Sequence, residues 1–309
     1  EVQYGQVPPN RPQPDLNKVR EAAKRISEAR RPVIVAGGGA KHSRAYEALN
    51  KLAEAMHVPV ATSLNAKDAI LDNNPLCVGV VGTYSRRSAN QVVAEADLVI
   101  FVGTRAGGMT THFWTIPAKG TPTIQVDIDP LVNGRNYPTD VSIVGDAKVT
   151  LEKMNELNIP VPKERVEWIK QVQEICTSYK TDFVEVYGSD AFPIRPERIV
   201  NELSNGMPKN AIIVVDTGHS GMWMGGMFEK RHEGQSYIRS AGHLGWAFPA
   251  ALGAKCGAPD RPVVCFMGDL GFWYHMAEVE TAVRALSLIH ISEPTRPERI
   301  AYAVFCVKK

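Results

Sequence analysis

Short apolar runs separated by stretches of helical spacing dominate the chain. Pro32-Val33-Ile34-Val35-Ala36 has the pattern of a buried strand and is stopped by Gly37-Gly38-Gly39. Pro59–Thr62, Asp97–Gly103, Thr123–Asp129 and Val141–Asp146 repeat that pattern. The periods between them predict helices from Asp15, an N-cap residue, to Ala29, from Ser43 to His57, one before Asp97, and one after Asp146 to Leu157. Strand-type runs alternating with helices predict a parallel sheet covered on both faces.

Pro160, Pro162 and Pro193 then bracket a charged helix over Glu164–Lys180. The α/β rhythm restarts with a helix over Pro196–Leu203, a strand at Ala211–Asp216, helices beginning near Ser220 and Trp246, and a strand at Pro262–Met267. Phe272, Met276, Val279 and Val283 stand at offsets 0, 4, 7 and 11, which predicts one amphipathic helix. The fold class expected is therefore α/β, with two doubly wound parallel-sheet domains joined by a helical linker. The expected divisions are a linker at 1–14, a middle domain at 15–160, a connector at 161–193 and a second domain at 194–286. Residues 287–309 break the rhythm. Pro294 and Pro297 sit in a charged stretch followed by an isolated apolar run, Ala301–Val307, and this segment is read as a non-native tail.

Composition narrows the function without choosing it. The chain has 309 residues, 44% hydrophobic and 22% charged, enough for two cores. A net charge of +2 gives no electrostatic case for nucleic acid or an anionic membrane, and no apolar run approaches the roughly 18 residues that span a bilayer. The five cysteines are far apart and form no C-x-x-C pair, which fits a reducing compartment and a cytoplasmic protein. The first residues, Glu1-Val2-Gln3-Tyr4, have neither an initiator Met nor a signal-peptide pattern and read as the middle of a longer protein.

Two strand-to-helix turns carry candidate chemistry. Gly268-Asp269-Leu270-Gly271 would lie at the carboxyl edge of a sheet, where a helix N-terminus suits a phosphate and a carboxylate can hold Mg²⁺ against phosphate oxygens. On spacing alone the same residues are a plain turn with Asp269 as a helix cap. Asp216-Thr217-Gly218-His219-Ser220-Gly221 offers an imidazole and a hydroxyl at a second such turn, and can equally be a capped turn with a solvent-facing histidine. Gly218-x-Ser220 resembles a hydrolase nucleophile elbow but has Met222 in place of the last glycine. Gly37-Gly38-Gly39 falls short of a dinucleotide fingerprint, since His42 takes the third glycine's place and Thr62-Ser63-Leu64-Asn65 holds no acid. The eight histidines are scattered and form no H-E-x-x-H pair.

The order of the pieces resembles thiamine diphosphate enzymes of the acetolactate synthase group. Arg31–Gly39, Glu95–Ile100, Asp127–Pro130 and Val144–Ala147 resemble the middle domain of that family. Asp216–Trp223, Gly242–Gly253 and Gly268–Arg284 resemble its diphosphate-binding domain, so the likeness covers nearly all of residues 1–286. The resemblance implies a cofactor, thiamine diphosphate, held with Mg²⁺ in a cleft between two domains, usually of two subunits. It implies decarboxylation of a 2-oxo acid and transfer of the remaining unit to a second carbonyl compound, with the cofactor supplying the difficult chemistry. Carried over by position, Asp269 would ligate Mg²⁺, and the backbone of Gly268, Leu270 and Gly271 would face the diphosphate. Gly218, His219 and Ser220 would flank it, and Leu244, between Gly242-His243 and Gly245, would prop the cofactor in its bent shape.

The chain departs from the family pattern in several places. Leu270 stands where glycine is usual, which is costly if that backbone needs positive φ or a close approach to phosphate. Ser220 stands at the family's histidine, with His219 one place earlier. The family's second metal ligand, an asparagine, would fall near Arg296. The domain bearing the activating glutamate has no counterpart here, so no catalytic residue is assigned and the isolated chain is expected to be inactive. FAD is a candidate ligand of the middle domain through Gly37, Gly38, Gly39, Arg105, Asp127 and Asp129, although Arg105-Ala106-Gly107-Gly108-Met109 replaces the family's acidic stretch. The full protein is expected to be a homodimer or homotetramer acting on a small 2-oxo acid. The rival readings are a 2-oxo acid decarboxylase or glyoxylate-type carboligase of the same family and, in another class, a non-catalytic flavin- or nucleotide-binding module.

Overall fold

A computed structural model describes residues 10–240 and 242–284, together with strands at 288–292 and 302–308. The first half runs α1 (Leu16–Glu28), β1 (Pro32–Ala36), α2 (Gly38–His42), α3 (Tyr46–Met56), β2 (Val60–Thr62), β3 (Cys77–Val80), α4 (Arg87–Glu95), β4 (Leu98–Val102), β5 (Thr123–Asp127), β6 (Val141–Val144) and α5 (Ala147–Asn155). Its six strands form one sheet in the order β3-β2-β1-β4-β5-β6, every neighbouring pair parallel. β1 and β4 are buried along their whole length. Alternate residues of β1 serve opposite faces: Ile34 and Ala36 pack with α1, α3 and α5, while Val33 and Val35 pack with α4. That two-sided burial is why these strands read as unbroken apolar runs.

Asp15 caps α1 as expected, accepting from the Asn17 N–H. The end of the expected linker is tied down. Arg11 bonds Ser43 and Asp146, and the Asp146 N–H donates to the Pro12 carbonyl. Residues 1–9 lie outside the described residues.

The connector is docked on the first domain. Its long helix α6 (Arg165–Thr181) buries Trp168 and Val172 in the core formed with Val33, Val35 and Phe101. Arg165 is fully buried and donates to the carbonyls of Ile26, Ala29 and Met56, so one guanidinium caps the C-terminal ends of α1 and α3. Burial lowers its pKa to about 10.

The second half runs α7 (Val184–Tyr187), α8 (Pro196–Gly206), β7 (Ile212–Val215), α9 (His219–Met227), β8 (Ser236–Arg239), α10 (Ala247–Gly257), β9 (Val263–Gly268), α11 (Asp269–Tyr274), α12 (Glu278–Arg284), β10 (Leu288–Ser292) and β11 (Tyr302–Lys308). Its five-stranded sheet has the order β10-β11-β9-β7-β8. β8, β7 and β9 are parallel; β11 pairs antiparallel with β9, and β10 antiparallel with β11. The expected parallel α/β character therefore holds for the three strands that carry the turns. The last two strands come from the segment read as a tail.

Two expectations change. The single helix expected over Phe272–Val283 is two short helices broken at residues 275–277. Phe272 and Val279 pack on the core, whereas Met276 and Val283 are 45% and 66% exposed. Gly37-Gly38-Gly39 is less a stop than a start, because α2 begins at Gly38. A Cβ on Gly37 would lie 2.3 Å from the Gly103 carbonyl oxygen, so glycine there lets the turns after β1 and β4 touch.

Candidate cofactor-binding site

β7 and β9 are neighbours in parallel register, with Val215 opposite Phe266, so the turns that follow them leave the same sheet edge side by side. After β7 the chain passes Asp216 and Thr217 to Gly218, whose φ of +74° turns it into α9. His219 opens that helix and is exposed; Ser220 is buried. After β9, Gly268 leads into α11, with Asp269 as its exposed first residue. Leu270 is 64% exposed, and its backbone is helical, with no positive φ. The cost foreseen for positive φ at that position does not arise.

A third segment joins them. The Gly245 N–H donates to both carboxylate oxygens of Asp216, at 3.1 and 2.9 Å. A Cβ on Gly271 would lie 2.2 Å from Asp216 Oδ2, so glycine there lets α11 pack on that carboxylate. Asp216 is fully buried and thus sits where the β7 turn, the Gly242–Gly245 loop and α11 converge. Leu244 is half-buried in that loop; His243 is exposed, its ring 6.2 Å from that of His275. The structure therefore gathers Gly218, His219, Ser220, Gly242, His243, Leu244 and Gly268 to Gly271 around one edge. The position near Arg296 lies outside the described residues. Among the described residues there is no group of three or more His, Cys, Asp or Glu side chains that could hold a metal ion. A site there would take Asp269, backbone oxygen, water and ligand phosphate, the mixed shell that Mg²⁺ tolerates.

Between the two sheets lies a cavity of about 880 Å³. It opens at the carboxyl ends of β1 and β4, where the strand order reverses direction, the usual ligand crevice of an open α/β sheet. Gly38, Gly39 and Arg105 line it from the first domain; Thr217, Arg239 and Gly242 line it from the second. Its charged or chargeable groups include His42, Arg105 and Arg239, with no Asp or Glu among the described residues that line it. The buried Arg239 Nε has no hydrogen-bond partner among the described residues. Asp127 and Asp129 are not among the residues that line the cavity. Asp127 accepts from the Asp129 N–H, and Asp129 from the Leu131 N–H, so both shape the loop after β5.

Sequence reasoning placed Asp216 in a candidate turn without giving it a role, and missed Tyr84 and Arg239. Asp216 had a usable signal, a lone carboxylate ending an apolar strand just before a turn of small residues. Tyr84, in the loop after β3, and Arg239, which meets the first domain's lining through the packing of the two domains, had none.

That packing rests on a buried charge cluster. Arg86 Nη1 lies 2.8 Å from Asp72 Oδ1, with Lys67 Nζ 3.8 Å from the same oxygen. Asp72 Oδ2 accepts from the Lys230 N–H at 2.6 Å. Burial pushes the Asp72 pKa up, but the Arg86 and Lys67 charges outweigh it and hold the carboxyl below its usual range. Burial also lowers Lys67, to about 8, against the pull of Asp72.

Comparison with known proteins gives this arrangement a family. Residues 19–154 match the family described as "Thiamine pyrophosphate enzyme, central domain", and residues 216–292 match "Thiamine pyrophosphate enzyme, C-terminal TPP binding domain". The chain belongs to the thiamine pyrophosphate enzyme family. Within it, the chain is 37% identical over 281 residues to the "Probable acetolactate synthase large subunit" of Methanococcus aeolicus, covering 85% of this chain and 46% of that protein. It is 31% identical over 286 residues to the "Acetolactate synthase large subunit" of Parasynechococcus marenigrum, covering 91% and 46%. It is 32% identical over 276 residues to the "Acetolactate synthase" of Mycobacterium avium, covering 87% and 44%. The chain thus spans just under half the length of these relatives. No helix among the described residues is long and apolar enough to cross a membrane.

Proposed function

We propose that this chain supplies the diphosphate-holding half of an acetolactate synthase-like enzyme. The complete protein decarboxylates a 2-oxo acid such as pyruvate and transfers the two-carbon unit to a second carbonyl compound. The observation that carries this reading is the side-by-side exit of the β7 and β9 turns, with Asp216 clamped between them.

The residues fit the cofactor's charged end. The N-terminus of α9 offers unpaired backbone N–H groups and the positive end of its dipole to a diphosphate. Asp269, exposed beside it, supplies the carboxylate for Mg²⁺. Ser220 and His219 flank the same turn, and half-buried Leu244 offers an apolar wall for the ring system. Thiamine diphosphate, when bound, supplies the nucleophilic carbon and stores the charge left by loss of CO₂. The protein's part here is to hold the diphosphate still, neutralise its charge and orient the rings. No residue of this chain is assigned to proton transfer on the pyrimidine, so the 309 residues by themselves are proposed to bind without turnover, the working assembly being a homo-oligomer.

Isothermal calorimetry tests this directly. Thiamine diphosphate should bind in the presence of Mg²⁺, and EDTA or Asp269→Ala should abolish the heat. Absence of saturable binding at millimolar cofactor would overturn the reading. Product analysis of a complete protein carrying this chain, with pyruvate alone and with pyruvate plus glyoxylate, separates acetolactate formation from simple decarboxylation or carboligation to glyoxylate.

The cavity between the sheets favours a second ligand of nucleotide size and negative charge. FAD is the candidate, held by Gly38, Gly39 and Arg105 without Asp127 or Asp129. The matched descriptions name thiamine pyrophosphate, so a flavin would accompany that cofactor rather than define a separate electron carrier. Reconstitution with FAD, followed by flavin absorbance after desalting, checks it.

A further inference from the structure

We propose that Arg86 of the middle domain is a positioning residue for the diphosphate turn of the other domain, acting through the full length of α9. The proposal rests on the reading of that turn given above.

α9 has nine residues, about 13 Å of rigid rod, with the His219 turn at one end. Its other end leaves carbonyls that need donors. Arg86 Nε donates to the Gly226 carbonyl at 2.8 Å, and Nη2 to the Phe228 carbonyl at 3.0 Å. The Tyr179 hydroxyl donates to the same Gly226 oxygen at 3.1 Å, and Lys67 Nζ to the Gly225 carbonyl at 3.3 Å. None of these donors comes from the domain that contains α9. Arg86 is 4% exposed, and Asp72 holds its remaining edge, so the fork has one available orientation. The glycines complete the fit: a Cβ on Gly225 would lie 2.8 Å from the Tyr84 carbonyl oxygen and 2.7 Å from Leu64.

Two cations at the negative pole of α9 also match the placement of an anion at its positive pole. The helix is thus clamped at its far end by one domain and presents its near end to the ligand of the other. Tyr84, two residues before Arg86, lines the cavity, so one short segment fixes both the cavity wall and the helix.

The test compares the 309-residue chain with Arg86→Met, Arg86→Lys and Tyr179→Phe. Hydrogen exchange is read at the hydrogen-bonded amides of residues 222–227, with α1 as the internal reference, and thiamine diphosphate affinity is read by calorimetry with Mg²⁺. The expected result is faster exchange at 222–227 in Arg86→Met while α1 is unchanged, with affinity weaker by about tenfold or more. Arg86→Lys keeps the charge but reaches one carbonyl, and should recover part of both. If Arg86→Met does not fold, Tyr179→Phe, which removes one hydroxyl from the same carbonyl, should still raise exchange at 222–227. Unchanged exchange there in the folded variants overturns the proposal. Failure of the unaltered chain to bind thiamine diphosphate, with the exchange coupling intact, instead removes the cofactor reading and leaves the mechanical link.

Discussion

Asp216 concentrates the energetics of the candidate site in one side chain. It is a buried carboxylate whose two oxygens share the Gly245 N–H, and Gly271 is packed against it too closely for any larger residue. Gly271→Ala forces the new methyl group into that carboxylate. The expected cost is about 1–3 kcal/mol, the range for overpacking, together with loss of Mg²⁺-dependent thiamine diphosphate binding. Urea denaturation and calorimetry on the same sample check both. If stability and binding are unaffected, the three segments do not meet at Asp216. The sequence shows the glycine-bearing turns, because small residues after an apolar strand are a local signal. It cannot show the hub. Gly245 lies 29 positions from Asp216 along the chain, and their pairing exists only once β8 has paired in parallel with β7 and delivered the Gly245 loop to the same edge.

Among the elements, those with a one-dimensional signature were legible and those without were not. β1 and β4 are runs of apolar residues buried on both faces, and their positions follow from the sequence alone. β3 (Cys-Val-Gly-Val) and β8 (Ser-Tyr-Ile-Arg) are four residues each, interrupted by a glycine or ended by polar groups, and carry no comparable run. The offsets of Phe272, Met276, Val279 and Val283 fit one helix, yet the chain turns at residues 275–277 and leaves two of the four exposed. Periodicity registers which residues are apolar, not whether this chain covers them. α6 is the opposite case, a charged segment bracketed by prolines that proves to be anchored. Trp168 is 2% exposed in the first domain's core and donates its indole N–H to the Pro32 carbonyl. Trp168→Ala should cost about 3–5 kcal/mol in urea unfolding, the range for emptying a large aromatic site. A value under about 1 kcal/mol would mean that α6 is a loose tether.

For the whole molecule, the two domains are joined through buried charge rather than through apolar surface alone. Asp72 and Glu229 near the domain junction, and Asp146 beneath Arg11, all have pKa values held below the ordinary 3.8 to 4.5 despite burial that works the other way. Depressed folded-state values mean that the unfolded chain binds protons first. Their stabilisation is therefore present in full above about pH 4.5 and is lost as pH falls through that value and below. Urea midpoints measured from pH 6 down to pH 3 should fall steeply below pH 4.5. Asp72→Asn should weaken the fold at pH 6 and flatten the acid limb, because an amide there leaves Arg86 and Lys67 without their counter-charge. An acid limb identical to that of the unaltered chain would locate the lability elsewhere.

The strand order of the first sheet also sets a timetable for synthesis on the ribosome. β1 lies between β2 and β4, and Pro32 pairs with Leu98 far along the chain. Until β4 has left the exit tunnel, β1 has one flank without a partner, and the segments already made can form helices but no closed sheet. Nascent chains halted before residue 98 should therefore be digested readily by protease, and resistance should appear abruptly once β4 and β5 have emerged together.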